Sequence, residues 1–122
     1  MNQREFIRSL LEWIESNLGH DLHLDEVARR AGYSRWHLQR LFRQHTGFSL
    51  AEYIRQRRLT ESALTLLNSN EAILQVAMNY GFDTQQAYTR TFKNYFMMTP
   101  GQLRRQRRVE PERLLFPLAM AS

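Results

Sequence analysis

Residues 27–46 read VARRAGYSRWHLQRLFRQHT, and residues 76–96 read VAMNYGFDTQQAYTRTFKNYF. The Val-Ala pair and the glycine recur 49 residues later, and the arginine and phenylalanine that follow recur 50 residues later. Each copy predicts a short helix, a tight turn that contains glycine, and a longer helix. Glycine suits such a turn because it enters the left-handed backbone region without steric cost. The repeat therefore predicts two helix-turn-helix motifs in one chain.

Three further helices are predicted outside the two motifs. Apolar residues recur at helical spacing over Phe6–Leu18, and Gly19 is expected to close this first helix. Ser49 and Glu52 fit a capping box that opens a long helix, and Pro100 suits the first turn of a last helix. No segment alternates apolar and polar residues as a half-buried strand does. The predicted fold class is all-α, with seven helices.

The helices group into two helix-turn-helix subdomains joined by a long linker helix. In each motif a polar residue is placed to cap the second helix, Ser34 in the first and Asp83 in the second. The last residues include Pro111 and Pro117 and are expected to run extended over the surface. The predicted boundaries are 1–49 for the N-terminal subdomain, 50–68 for the linker helix, 69–109 for the C-terminal subdomain and 110–122 for the tail.

Positive charge is concentrated where the motifs lie. The chain of 122 residues has a net charge of +5, and Lys93 is its only lysine. Residues 1–26 carry a net charge of −4, whereas residues 27–109 carry +10. Arginine forms planar, forked hydrogen bonds to phosphate and to guanine. Acidic nucleic acid is therefore the expected partner of the basic region.

The second helix of each motif has an apolar face and an opposite polar face, counting about 100° per residue. Arginine can bind guanine through two hydrogen bonds, and glutamine can do the same for adenine. Structural alternatives stay open: Trp36 as a partly buried core aromatic, and the amides and cations as solvated surface groups. The side chains predicted to face a major groove are Trp36, Gln39, Arg40 and Arg43 in the first motif, and Gln86, Thr89, Arg90 and Lys93 in the second.

Cations outside the base-reading positions are predicted to contact the DNA backbone or to be solvated. Phosphate contacts fix register and orientation on the duplex without reading its sequence. The predicted backbone contacts are Arg35, Arg43, Arg57, Arg58, Lys93, Arg104, Arg105, Arg107 and Arg108.

The linker helix has the length of a groove-to-groove spacer. A helix over residues 50–68 is about 28 Å long at about 1.5 Å per residue, and the major groove of B-DNA repeats every ~34 Å. One chain could then place two helices in adjacent major-groove segments, so a monomer suffices. Because the two helices differ in sequence, the expected site is asymmetric, and some DNA bending is expected.

These motifs also resemble a known family. Residues 32–42 and 80–93, together with Met98-Thr99-Pro100-Gly101, are similar to the AraC/XylS family of transcription regulators and within it to the MarA, SoxS and Rob group. The resemblance covers roughly residues 6–108. It implies seven helices, binding as a monomer, activation through contact with bacterial RNA polymerase, and control of multidrug-resistance and stress genes.

By match of position the resemblance also implies which side chains read bases. Two residues depart from the family pattern. Ala87 stands where relatives often have threonine, and His23 stands where a serine cap is common, which leaves the start of the second helix less well defined. The implied base-reading residues are Trp36, Gln39, Arg40, Gln85, Gln86, Thr89 and Arg90.

Other functions are weighed against DNA binding. The chain has no cysteine and no motif of a metalloprotease, a phosphate-binding loop or an activated nucleophile, so neither an enzyme nor a metal or cofactor is predicted. No segment has a signal peptide or a bilayer-spanning length, which predicts a cytoplasmic, nucleoid-associated protein without a membrane partner. A repressor or accessory DNA-binding protein of the same fold, or an RNA-binding module, remains the alternative.

Overall fold

The computed structural model describes residues 2–120, and the all-α prediction is confirmed. None of these residues lies in a strand. No helix within this range has the length and apolar character needed to cross a membrane. The elements are α1 (Gln3–Ser16), α2 (Leu24–Arg30), α3 (Arg35–Thr46), α4 (Leu50–Asn68), α5 (Ile73–Asn79), α6 (Gln85–Phe96), α7 (Pro100–Gln106) and a 3₁₀ turn at Pro111–Arg113.

The internal repeat explains why the chain forms two compact units. One unit runs to Arg55 and includes the chain again from Pro117, and the other is Gln56–Phe116. Helix α4 contributes to both. Its first residues follow α3, the second helix of the first motif, just as α7 follows α6 in the second motif. Its later residues precede α5, the first helix of the second motif, just as α1 precedes α2 in the first motif. The long helix is thus part of each unit and more than a connection.

The first unit is held by apolar side chains that its helices share. Ile7, Leu10 and Ile14 form the buried stripe of α1, at the spacing of an amphipathic helix. Tyr53, from the start of α4, is fully buried and its ring lies 5.6 Å from that of Phe42. Burial of each large side chain stabilises the fold by roughly 1.5–3 kcal/mol.

The second unit has a core rich in aromatic residues. Tyr88, Phe92 and Phe96 follow one another on the inner face of α6, with ring centroids 5.5 Å and 4.6 Å apart. Burial raises the pKa of the Tyr88 hydroxyl, despite its hydrogen bond to Ser62, so that it is neutral and donates to the Ser62 hydroxyl at 2.9 Å. The residues of α4 and α7 that complete this core are Leu59, Ala63, Leu66 and Leu103.

The two turns have the same construction. Gly32 has φ +82° and Gly81 has φ +84°, which glycine adopts without the strain that a Cβ brings. In each turn the amide that follows the glycine donates back to the first helix of the motif: Tyr33 to Ala28 at 2.8 Å, and Phe82 to Ala77 at 3.0 Å. These bonds close both turns in the same way.

The surroundings of the two glycines differ, which gives a stability prediction. A Cβ at Gly32 meets no atom within 4 Å, whereas a Cβ at Gly81 lies 3.1 Å from the Arg58 guanidinium carbon. Gly32→Ala should therefore cost about 1 kcal/mol for the left-handed backbone alone. Gly81→Ala should cost up to about 1 kcal/mol more, because Arg58 must move.

Urea unfolding of both variants, repeated in an Arg58→Ala background, measures these costs. The difference between the two alanine substitutions should disappear when Arg58 is absent. An equal cost for both glycines in the natural background would contradict the contact between Arg58 and Gly81.

Two predicted helix ends are wrong by a few residues. Helix α1 ends at Ser16 with Asn17 as its C-cap, before Gly19. The cap of α6 is Thr84, whose side chain accepts a hydrogen bond from the amide of Ala87, and not Asp83. Thr84 lies 50 residues after Ser34, so Asp83 is the inserted residue that changes the offset between the copies.

Other helix starts follow the predicted pattern to different degrees. The Ser49 hydroxyl accepts from the Glu52 amide at 3.2 Å at the start of α4. Thr99 and Gln102 form a complete capping box on α7. His23 precedes α2 with a left-handed backbone and no side-chain cap, as its departure from the family pattern suggested.

The tail is not simply a chain extended over the surface. Its first part forms the 3₁₀ turn, and Leu114 packs against the core of the second unit, as does Val109 just before the tail. The Leu118 amide donates to the Tyr53 hydroxyl at 3.1 Å in the first unit. These contacts make the described tail residues part of the packed structure.

Candidate nucleic-acid interface

Helix α3 presents an exposed polar face with an aromatic side chain on it. Trp36 is 67% exposed although it is one of the largest apolar side chains in the protein. The Arg40 guanidinium lies over its ring, 5.2 Å from the centroid, in a cation–π contact. Gln39 and Arg40 are also exposed. We call Trp36, Gln39 and Arg40 the first reading surface.

The rest of α3 explains why this surface faces outward. Leu38, Leu41 and Phe42 are buried on the opposite face and fix the rotation of the helix. The Ser34 side chain accepts from the amide of His37 at 3.1 Å, which sets where the helix begins. Trp36 therefore lies in the first turn, where recognition helices contact base edges. Its exposure excludes the alternative that it is a core residue.

Helix α6 presents a matching face without the aromatic residue. Its polar side chains line an open recess of about 660 Å³. Gln85, Gln86 and Arg90 are exposed and Thr89 is half-buried. We call Gln85, Gln86, Thr89 and Arg90 the second reading surface; Lys93 also lines this recess.

The two reading surfaces occupy equivalent places in the repeat but differ in chemistry. At an offset of 50 residues Trp36 corresponds to Gln86, and Arg40 corresponds to Arg90. The first surface holds its arginine against an aromatic ring, and the second offers two neighbouring amides. Each surface can donate to guanine and form paired hydrogen bonds to adenine, but they cannot present the same pattern.

Six of the predicted backbone-contacting cations have exposed side chains. Arg35 lies at the start of α3 with its guanidinium 3.4 Å from the Asp25 carboxylate, an ion pair in which both side chains are largely exposed. Such pairs are weak and do not prevent a phosphate contact. The six exposed cations are Arg35, Arg43, Lys93, Arg105, Arg107 and Arg108.

The prediction that Arg57 contacts the DNA backbone is wrong. Its side chain is fully buried in the second unit. The guanidinium donates to the carbonyl oxygen of Leu115 at 2.5 Å and to the Glu61 carboxylate at 2.8 Å. A buried guanidinium has no surface to offer a phosphate, because its donors already satisfy groups of the protein. Arg57 stabilises the fold.

Arg104 and Arg107 also bond to the protein main chain, at the end of α4. Arg104 donates to the carbonyl oxygen of Leu66 at 3.2 Å and to that of Glu71 at 2.5 Å. Arg107 donates to the carbonyl oxygen of Leu67 at 3.3 Å. The last turn of a helix leaves carbonyl groups unsatisfied, and α4 has no basic residue of its own there. Arg104, in α7, and Arg107, the C-cap residue of α7, supply the missing donors.

The half-buried Arg58 has its guanidinium against the turn of the second motif, next to Gly81. The capping role of the α7 arginines and the place of Arg58 were missed in the sequence. The absence of a cation in the last turn of α4 was the one available signal. It could not identify the partners, which lie 38 and 40 residues further along the chain.

The fold and these surfaces define a class of protein. The chain has two helix-turn-helix motifs, each with an exposed second helix that presents hydrogen-bonding groups suited to base edges, in a basic region. This is the architecture of a DNA-binding protein with two recognition helices in one chain.

Comparison with known proteins gives the family. A family model described as a helix-turn-helix domain matches residues 27–106. MarA of Escherichia coli strain K12, the multiple antibiotic resistance protein, is 52% identical over 112 residues, which cover 92% of this chain and 88% of MarA. The chain therefore belongs to the AraC/XylS family and is similar to MarA, and it is a DNA-binding transcription regulator.

Solved structures agree with the fold. The C-terminal domain of AraT, a response regulator from Geobacillus stearothermophilus, has a TM-score of 0.79 and 28% identity, covering 87% of this chain and 88% of that one. The DNA-binding domain of AdpA, a global transcriptional factor solved in complex with a target DNA, has a TM-score of 0.71 and 26% identity, covering 87% of this chain and 95% of that one.

Proposed function

We propose that this protein is a sequence-specific activator that binds double-stranded promoter DNA as a monomer. Helices α3 and α6 enter adjacent major-groove segments of one asymmetric site, and each reading surface contacts one half-site. The observation that carries the proposal is the pair of exposed, equivalent reading surfaces in a single chain.

The chemistry of the side chains supports the assignment of roles. The first reading surface combines a guanidinium, an amide and an aromatic ring that can pack on thymine methyl groups. The second surface lines an open recess whose polar groups are free to approach base edges. The exposed cations Arg35, Arg43, Lys93, Arg105 and Arg108 contact phosphates and give most of the nonspecific affinity.

The expected site is asymmetric because the two surfaces are unlike. A symmetric dimer places identical helices on two identical half-sites, and its operator is palindromic. Here Trp36 and Gln86 stand at equivalent positions, so the two half-sites need different bases. Bending of the DNA follows if straight B-DNA does not accommodate both helices at once.

The regulated genes are proposed from the relative. MarA is named for multiple antibiotic resistance. We propose that this protein acts in the cytoplasm, at the nucleoid, on genes for multidrug resistance and stress, and that it activates them through contact with bacterial RNA polymerase. No cofactor or metal takes part in this mechanism.

Selection of bound fragments from random duplex DNA tests the proposal. The selected fragments should contain two different sequence elements at one fixed spacing of about one helical turn, about 10 base pairs. Fragments with a palindrome, with a single element, or without any common sequence would contradict it. Excess RNA should compete poorly for the protein, whereas effective competition by RNA would favour an RNA-binding module.

Transcription with purified bacterial RNA polymerase tests the proposed direction of regulation. A template that carries the selected site upstream of a weak promoter should give more transcript when the protein is added. Less transcript with the site at every upstream position would indicate a repressor.

A further inference from the structure

Residues 109–116 bind across two helices of the second unit, and we call this segment the C-terminal strap. Its residues Leu115 and Arg113 bond to α4 and to the C-terminal end of α6, respectively. Two of its apolar residues, Val109 and Leu114, pack against the core that α4, α6 and α7 form together. Because Arg113 and Leu115, only two residues apart, bond to α6 and α4 respectively, the strap is placed to affect how α6, which carries the second reading surface, is held on α4.

Two fully buried polar side chains of α4 form hydrogen bonds to the main chain of one strap residue, Leu115. Arg57 donates to the carbonyl oxygen of Leu115 at 2.5 Å, and the amide of Leu115 donates to the Thr60 hydroxyl at 2.9 Å. Both Arg57 and Thr60 are 0% exposed. Buried polar groups without a partner are costly, so α4 is built to have this segment bound.

The contact with α6 is made by Arg113. Its guanidinium donates to the carbonyl oxygen of Tyr95 at 2.9 Å, in the last turn of α6. A second bond at 2.9 Å to the Glu110 carboxylate holds the same guanidinium in place. Cationic side chains near the end of a helix satisfy its last carbonyl groups and interact favourably with its dipole.

The end of α6 has more need of this contact than the end of α3. The C-cap residue of α3 is Gly47, which has φ +80°, a conformation that glycine adopts freely. At the equivalent position the C-cap residue of α6 is Met97, which has φ +62° and a side chain that is 69% exposed. A methionine in the left-handed region is strained, so the last turn of α6 is intrinsically weaker.

We propose that the C-terminal strap is a positioning element for the second reading surface. Arg113 fixes the last turn of α6 while Arg57 and Thr60 fix the strap to α4, so the place of the recognition helix on α4 depends on the strap as well as on the buried face of α6. This inference rests on the proposed function, because it assigns the strap an effect on the second half-site alone.

The test compares two DNA duplexes: the selected site, and the same site with the bases of the second half-site scrambled. The natural protein should bind the first duplex more tightly. Arg113→Ala should reduce that preference roughly three- to tenfold, with little change in affinity for the scrambled duplex beyond the loss of one positive charge. Arg113→Lys keeps the charge and a donor, and it should recover most of the preference.

A second variant acts at the other anchor. Thr60→Val removes the acceptor of the Leu115 amide without touching α6, and it should reduce the same preference. Amide hydrogen exchange should report faster exchange at Met97, whose amide bonds to the Lys93 carbonyl oxygen, in both variants. Circular dichroism of each variant at the binding temperature verifies that the helices are formed.

The outcomes separate the strap from the proposed function. If the natural protein binds both duplexes equally, the assignment of α6 to a half-site is wrong. If the natural protein prefers the intact site and Arg113→Ala keeps that preference unchanged, the strap does not position α6 and the inference is overturned.

Discussion

Arg57→Ala should lower the free energy of unfolding by about 3 kcal/mol. The substitution leaves a cavity in the second unit, and it removes the donor to the Leu115 carbonyl oxygen and the partner of the Glu61 carboxylate. Lost packing and unsatisfied buried groups each contribute to the cost. Urea-induced unfolding followed by circular dichroism measures the change, and the midpoint should fall clearly below that of the natural protein.

Arg108→Ala is the matched control, because it removes the same charge from an exposed side chain in an identical Arg-Gln-Arg-Arg stretch. Its stability should stay close to that of the natural protein. Its DNA affinity should fall on all sequences, and the slope of log affinity against log salt should decrease by about 1. The assignment of Arg57 would be wrong if Arg57→Ala kept full stability and lost salt dependence instead.

Arg40→Ala should weaken binding to the selected site by about 1–3 kcal/mol, roughly 5- to 150-fold. Its guanidinium is exposed beside Trp36, so it can reach a base edge from a fixed position. Affinity for random duplex DNA should fall much less, because nonspecific binding depends on phosphate contacts and does not hold a particular base opposite Arg40. Trp36→Ala should act in the same direction, since it removes the ring that orients Arg40.

Arg43→Ala provides the comparison for this prediction. Arg43 lies on the same helix, one turn beyond Arg40, and it is exposed and predicted to contact phosphate. Its loss should lower affinity for the selected site and for random DNA by similar factors. Equal losses on the two DNAs for Arg40→Ala as well would show that Arg40 contacts phosphate and does not read a base. Fluorescence anisotropy titrations at one salt concentration measure all four affinities.

The arginines of this chain differ in burial, and composition does not reveal this difference. Arg57 and Arg108 lie in two stretches, residues 55–58 and 105–108, that both read Arg-Gln-Arg-Arg. One is buried among protein carbonyl groups and the other is in solvent. The difference arises because residues 56–67 of α4 are all buried or half-buried, whereas Arg108, which follows α7, is exposed.

Local patterns predicted most of the fold. The apolar spacing, the turn glycines and the caps at Ser34 and Thr99 act over three to five residues, so they can be found without a structure. The exposed polar face of each recognition helix follows from the same periodicity, because the opposite face must be buried. This is why Trp36 and Arg90 were predicted to lie at the surface and do so.

Where two neighbouring residues can both cap a helix, the sequence pattern alone was not sufficient to predict which one does. Asp83 and Thr84 are adjacent, and both side chains can cap a helix. In the structure the cap is Thr84, which lies at the same place in the repeat as Ser34, the cap of α3, and α6 begins at Gln85. The capping preference of the two residues does not by itself decide between them.

The sequence by itself determined the helices, the repeated motif and the outward chemistry of α3 and α6, because these depend on periodicity and on near neighbours. Only the tertiary structure decided which cations are free for DNA and which hold the protein together. Arg57, Arg104 and Arg113 find their partners 18 to 58 residues away. Such pairs form only when packing brings distant carbonyl groups within hydrogen-bonding distance, and a one-dimensional pattern carries no record of that distance.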